Sequence, residues 1–425
     1  MKIKDLHTTF LANPSISIDT RKIKKNDIFF ALKGDNFNGN AYAQKALNSG
    51  ASLVIIDEIK YYINDKTILV DDVLSSLQQL ANFHRKACKA QVISLTGSNG
   101  KTTTKELISE VLSRKYHTIA TNGNLNNHIG VPLTLLTIRP DTEIAIVEMG
   151  ANHLKEIEFL CKIAEPDYGY ITNFGKAHLE GFGGIDGVIK GKSELYEYLT
   201  ANKKSIFLNA DDTIQMKKLS MYTKKYGFSS KNSKYYDIKL VEDQPFVTLK
   251  VEDIMVKTNL IGTYNFPNCC AAIIMGKYFN VDLKDIKNAL EEYTPNNNRS
   301  QILHTNGHYI ILDAYNANPS SMKVALENFS SLKKEKKIVI LGDMFELGDS
   351  AKEEHQNIVS LSEKLNFEEV LFIGENFYKT STSYHKLKSF DDLKIHLKEN
   401  NIKPNSTLLI KGSRGMALER VLDLL

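Results

Sequence analysis

Tryptophan is absent from this chain, and its 425 residues include only nine prolines and four cysteines. Cys88, Cys161, Cys269 and Cys270 lack the paired spacing of a zinc site, and the adjacent pair at 269 and 270 makes a poor disulfide. They read as buried thiols of a reducing compartment, so a cytoplasmic protein is expected. Long apolar runs are also missing: none approaches the roughly 20 residues that span a bilayer. The first residues, Met-Lys-Ile-Lys-Asp-Leu-His, carry charge where a secretory signal needs an apolar core. Charge of one sign is scarce as well, with a net +4 from 54 basic and 50 acidic side chains. That balance makes no case for nucleic acid, and the lysines around 333–337 read as a solvated face. Small-molecule partners and a monomer are the expectation.

What is present is an alternation of strand and helix signals in three segments, at 1–88, 89–297 and 298–425. The first has short apolar runs at Ile28–Leu32 and Leu53–Ile56, a helical stretch near Ala41–Leu47, and a polar, basic end near His84–Lys89. The second opens with the strand-like Val92–Leu95, a Gly-Ser-Asn-Gly turn and a helix through Leu107, Ile108, Val111 and Leu112. Further strands are expected at Ile144–Met149, Tyr168–Thr172 and Ile206–Leu208. A meander follows over 235–261, then a helix from Pro267 to Tyr278. Thr294-Pro-Asn-Asn-Asn298 disfavours regular structure and marks the second boundary. Beyond it, strands at Tyr309–Leu312, Ile338–Leu341, Val370–Ile373 and Thr407–Ile410 make a second α/β sheet. The fold class is therefore α/β, with parallel βαβ units in at least two domains.

Thr96-Gly-Ser-Asn-Gly-Lys-Thr-Thr103 lies between a strand and a helix, where a phosphate loop must sit. Gly97 and Gly100 let backbone N–H groups turn toward phosphate oxygens, with Asn99 between them. The helix N-terminus, with Thr103 in its first turn, adds partial positive charge. Lys101 would reach the β and γ phosphates and the Thr102 hydroxyl would hold Mg²⁺. The usual pattern wants glycine at position 95, where this chain has leucine, so the loop is a shorter variant. A plain turn before a helix is the alternative. Glu148, at the carboxyl end of one strand and followed by Asn152 and His153, and His178, just past the next, stand where open α/β sheets bind ligands. Together they could hold a metal.

At this point the sequence resembles a family. Thr96 to Thr104, Glu148-Met-Gly-Ala-Asn152 and Asn173 through Gly183 look like the central domain of the Mur ligases. Asp313-Ala-Tyr-Asn-Ala-Asn-Pro-Ser320 and Leu341-Gly-Asp-Met-Phe-Glu-Leu-Gly348 resemble its branch that adds D-alanyl-D-alanine. The resemblance runs from Asp19-Thr-Arg21 to Lys411-Gly-Ser-Arg414. It implies a small N-terminal α/β domain for the UDP substrate, a central P-loop ATPase-type parallel sheet and a C-terminal Rossmann-like α/β domain. The activity implied is an ATP- and Mg²⁺-dependent ligase joining D-alanyl-D-alanine to UDP-N-acetylmuramoyl-tripeptide, a step of peptidoglycan synthesis. A sister amino-acid ligase, a folylpolyglutamate-like ligase and a nucleotide-binding switch are the alternatives.

Residue by residue, the resemblance implies that Thr102 and Glu148 hold the nucleotide-linked Mg²⁺. His178 and Lys192 would serve a second ion, Lys192 being the lysine that the family carbamylates, with Lys190 as competitor. Tyr264 and Asn265 match an adenine-side motif in which histidine usually precedes asparagine. Arg299 matches an arginine that reaches the transferred phosphoryl group, and Asp313 would bind the ATP ribose or the nearby phosphate side; a boundary salt bridge and a turn aspartate are their plainer readings. Ser17, Thr20, Arg21 and Lys33 resemble the uridine-nucleotide site, although Asn38-Gly-Asn40 departs from the family's Asp-Gly-His. Asn126 and Asn127, in the loop 124–134, would grip the sugar–peptide substrate. Asn316, Asn318 and Ser320 are candidates for the incoming dipeptide.

Overall fold

The structure, a computed structural model, describes residues 2–425. Three sheets organise it. The N-terminal sheet has four parallel strands in the order Ile16–Ser17, Ile28–Phe30, Leu53–Ile56, Thr67–Leu69. Its two middle strands are buried on both faces, which is why they read as unbroken apolar runs. The stretch at His84–Lys89, expected as a polar segment end, is instead mostly the last turn of a helix, Val73–Ala87, with His84 and Arg85 buried. Arg85 donates to the carbonyls of Ala164, Ala90 and Glu165 and pairs with Asp167 at 2.7 Å. Its charge faces inward to bind the first unit to the second, which composition alone cannot reveal.

The central sheet has nine strands, in the order Ile254–Lys257, Thr248–Val251, Tyr236–Glu242, Lys225–Ser229, Ser205–Asn209, Tyr168–Ile171, Gln91–Thr96, Ile144–Glu148, Thr118–Ala120. Pairing is parallel from Tyr236–Glu242 onward, and the first two strands form the antiparallel meander. Helix Lys101–Leu112 follows the phosphate-loop strand and buries Leu107, Ile108, Val111 and Leu112 against that sheet and helix Phe266–Tyr278. Full burial of each such side chain contributes about 1.5–3 kcal/mol. Phe266–Tyr278 carries Pro267 in its first turn, where a missing N–H is harmless. It buries Cys269 and Cys270, and burial pushes the Cys269 thiol up to about 12. All four cysteines are free.

No regular structure lies between Glu292 and Gln301. This connection is tethered, however: Glu106 accepts from the Tyr293 hydroxyl at 2.6 Å and from Asn297 Nδ2 at 3.0 Å. The C-terminal sheet runs Gln301–Thr305, His308–Asp313, Thr407–Lys411, Lys337–Gly342, Glu369–Ile373, His385–Leu387. Its first strand is antiparallel and the other five are parallel. No described helix is long and apolar enough to cross a membrane.

Candidate active site between the central and C-terminal sheets

A cleft of about 710 Å³ lies where the carboxyl ends of the central strands meet those of the C-terminal sheet. The phosphate loop forms its floor. Gly97 and Gly100 have φ of +146° and +77°. A Cβ on Gly97 would come within 2.0 Å of Thr172 Oγ1, so the loop needs glycine there both for conformation and for space. The next strand end holds the loop in shape: Ser98 N donates to Asn173 O, Asn99 N to Asn173 Oδ1, and the Thr172 hydroxyl to Asn99 O. The first-turn N–H groups of Lys101–Leu112 have no helical acceptor and face the cleft, with Gly100, Lys101, Thr102 and Thr103 in its lining. This is an anion cradle. Lys101 Nζ donates to Gly97 O at 2.7 Å. Burial lowers its pKa; Glu148 opposes that shift and Arg299 adds to it.

Glu148 ends its strand with the carboxylate buried. One oxygen accepts from Asn126 Nδ2 at 2.7 Å, and the other, Oε2, is buried without a partner. An unsatisfied carboxylate oxygen beside the Thr102 hydroxyl and a phosphate cradle has the donor chemistry of a Mg²⁺ site. Asn127, also in the lining, spends its side-chain oxygen on the N–H groups of Ile129 and Gly130. His178 lines the cleft with a left-handed backbone, φ +53°, and its Nδ1 lies against Glu346 from the C-terminal unit. That imidazole holds the Glu346 carboxyl below the usual range.

Lys192 does not line the cleft. It is fully buried behind the wall, its Nζ donating to Ala151 O at 2.9 Å and 5.0 Å from the Phe182 ring centre. Burial, with Lys101 adding repulsion, pulls its pKa well below the ordinary lysine value. Lys190 is exposed on the same helix, so the two candidates stand in opposite environments.

Across the cleft, Arg299 stacks on Tyr315, its guanidinium carbon 3.7 Å from the ring centre, and its Nε is buried without a partner. No carboxylate among the described residues pairs with it, so the salt-bridge alternative fails here. Asp313 does carry a salt bridge: Lys411 Nζ reaches its Oδ2 at 2.7 Å and Ser300 N donates to its Oδ1. It still lines the cleft. Tyr264 exchanges a 2.6 Å hydrogen bond with Ser300, across the connection. Asn265 donates to Ile261 O and accepts from Asn268, whose oxygen accepts from Thr104. Asn316, Asn318 and Ser320 line the cleft too, but two of them already join the units. Asn318 Nδ2 donates to Asn99 Oδ1 at 2.7 Å, and Ser320 Oγ accepts from Lys176 N at 2.8 Å.

Ser17, Thr20, Arg21 and Lys33 lie outside this cleft, on the N-terminal unit. Ser17 Oγ bonds the backbone of Asp19, Arg21 pairs with Asp19 at 2.8 Å, and Lys33 with Asp57 at 3.1 Å. Asn40 is fully buried and donates to Asp57. Lys411, Glu346 and Asn268 were not among the candidates. Glu346 and Lys411 did leave a trace in the sequence, inside the stretches Leu341–Gly348 and Lys411–Arg414 that carry the family resemblance.

Three family descriptions match successive parts of the chain. Residues 14–97 match "Mur ligase family, catalytic domain", 95–276 "Mur ligase middle domain" and 298–414 "Mur ligase, glutamate ligase domain". A UDP-N-acetylmuramoyl-tripeptide–D-alanyl-D-alanine ligase of Bacillus subtilis is 35% identical, covering 97% of this chain and 94% of its own length.

The chain belongs to the Mur ligase family.

The Escherichia coli protein of the same name is 31% identical, over 96% of this Mur ligase and 92% of itself. Among solved structures, MurF from Acinetobacter baumannii superposes with a TM-score of 0.83 at 29% identity, covering 96% of this Mur ligase and 93% of that chain. MurF from Thermotoga maritima in complex with ADP gives 0.85 at 27% identity, over 97% of both. A folylpolyglutamate synthase of Mycobacterium tuberculosis, at 12% identity, shares the fold alone, covering 82% of this Mur ligase and 94% of that chain with a TM-score of 0.62.

Proposed function

We propose that this Mur ligase joins D-alanyl-D-alanine to UDP-N-acetylmuramoyl-tripeptide in the cytoplasm, converting ATP to ADP and phosphate and forming the pentapeptide precursor of peptidoglycan. The observation that carries this reading is the cleft in which a phosphate loop from one sheet faces an unpaired arginine from another. The relatives' names supply the substrates. Residues 1–88 would take the UDP end, 89–297 ATP, and 298–425 would close over both.

In this mechanism the loop amides and Lys101 hold the ATP phosphates, and Arg299 meets the γ-phosphoryl group as it moves to the tripeptide carboxylate. Arg299 suits that role because Tyr315 holds its guanidinium plane while Nε stays unpartnered. The D-alanyl-D-alanine amine then attacks the acyl phosphate, phosphate leaves, and an amide bond remains. Enclosure between the units keeps water from the acyl phosphate. Thr102 and Glu148 would hold Mg²⁺, which neutralises phosphate charge when bound. His178 would serve a second ion. Lys192 is the better candidate for carbamylation, since burial favours the uncharged amine, the form that attacks CO₂, and the product would be an anion beside Lys101. Tyr264 and Asn265 would face the adenine, Asp313 the ribose, and Ser17, Thr20, Arg21 and Lys33 the uridine nucleotide. Asn126 and Asn127 would grip the sugar–peptide. Asn316 is the dipeptide candidate whose side chain does not tie the units together.

The test is phosphate release from ATP with Mg²⁺ and the UDP-linked tripeptide, comparing D-alanyl-D-alanine with single amino acids. Release with the dipeptide, and a matching mass gain on the nucleotide substrate, supports the reading. Release with a single amino acid assigns a sister ligase, and release without any acceptor overturns ligation.

A further inference from the structure

We propose that Glu369, His385 and His396 form a binding site for a divalent transition-metal ion of the zinc class, separate from the cleft. These are the only three or more His, Cys, Asp or Glu among the described residues whose potential ligand atoms all lie within 4.8 Å of one another. Parallel pairing explains why they converge. His385 pairs with Leu371, and Glu369 lies two residues before Leu371, so both side chains share one face of the sheet. Helix Phe390–Glu399 covers that face through Leu393 and Leu397, and His396 stands beside Leu397 on the helix. The two imidazoles lie with ring centres 4.8 Å apart.

A second observation points to a ligand. His396 Nε2 is buried with no hydrogen-bond partner, on a side chain only 13% exposed. The Glu369 oxygen facing it is 3.9 Å away, too long for a hydrogen bond. A buried unsatisfied nitrogen is costly in a folded protein, and a metal–nitrogen bond would satisfy it. Two imidazoles and one carboxylate suit zinc or cobalt rather than magnesium, which prefers oxygen. Ligands about 2.0–2.2 Å from a tetrahedral ion sit roughly 3.3–3.5 Å from each other, so small rotamer changes complete the site. The fourth position would take water.

The location also argues for independence from ligation. Glu369 and His385 begin their strands, whereas the cleft residues Asp313 and Lys411 end theirs, at the opposite edge of the same parallel sheet. A bound ion would staple the last helix to the edge strand, far from the phosphate loop.

The test uses untagged full-length protein, stripped with chelator and titrated with zinc in excess Mg²⁺, alongside His385→Ala, His396→Ala and Glu369→Gln. One zinc per chain is expected, with a visible Co²⁺ spectrum typical of nitrogen ligation. Each histidine variant should weaken binding by at least the roughly 10- to 100-fold that loss of an outer-sphere partner causes. His385 is exposed, so His385→Ala tests the site even where His396→Ala fails to fold. Absence of zinc binding in excess Mg²⁺, or binding unchanged by His385→Ala, would overturn the proposal.

Discussion

Replacing Lys411 by methionine keeps the length of the side chain and removes its charge. Lys411 is 2% exposed and Asp313 18%, and their contact is 2.7 Å with a second bond from Lys411 to Asn316 O at 3.1 Å. Lys411→Met leaves the Asp313 carboxylate in the cleft wall with Ser300 N as its remaining donor. Breaking a buried pair from one side costs about 3–5 kcal/mol. Asp313 retains some solvent, so the lower end applies, about 3 kcal/mol, or roughly 6–12 °C in the melting temperature of the C-terminal unit. Adding Asp313→Asn should recover most of that loss, because an amide tolerates the absent cation. Differential scanning calorimetry and urea midpoints of parent, single and double variants measure it. A single variant within about 1 kcal/mol of the parent, or a double variant no better than the single, would refute the reasoning.

Arg299→Ala should lower dipeptide-dependent turnover by about 10²-fold or more while the protein melts normally, since Arg299 has no ion-pair partner to lose; stopped-flow phosphate release measures it. Gly97→Ala should weaken ADP binding by calorimetry and destabilise by about 1–3 kcal/mol, because its Cβ meets Thr172 and its φ disfavours any side chain. Acid should loosen the N-terminal helix, Ile3–Ala12. His7 Nε2 bonds His84 Nδ1 at 3.0 Å, and burial lowers the pKa of both imidazoles from 6.5. The unfolded chain therefore takes up protons first, so stability falls as pH drops below about 6.5 and levels off below the folded values. Hydrogen exchange at the helix against pH checks it, and His7→Phe should flatten the slope.

The strands that could be read from the sequence are those buried on both faces, where apolar residues run unbroken. Thr118–Ala120 and His385–Leu387 escaped notice because edge strands carry Thr and His on a half-wet face, and Lys225–Ser229, although inside its sheet, opens on the partly exposed Lys225 and Tyr226. Gln301–Thr305 escaped for the same reason, and only its antiparallel partner His308–Asp313 declares it. The phosphate loop was legible because glycine, turn and helix start are local chemistry. The ties between units were not: Glu346 meets His178, and Asn318 meets Asn99, from positions 168 and 219 residues away in sequence. Asn318 and Ser320 line the cleft, and their side chains reach Asn99 and Lys176 across it, contacts that the sequence does not announce.

The Asn99–Asn318 hydrogen bond makes the phosphate cradle itself a contact of the C-terminal unit. Beside it stand Lys176 with Glu354 at 2.6 Å and His178 with Glu346. Swinging that unit away must disturb the residue between the two loop glycines. Whatever free energy a nucleotide gains from the closed arrangement must reappear, in equal amount, as resistance to opening. Departure of spent nucleotide and departure of the new peptide product are then one event seen from two ends. A substitution at Asn318 should accordingly shorten the residence of ADP without touching the nucleotide.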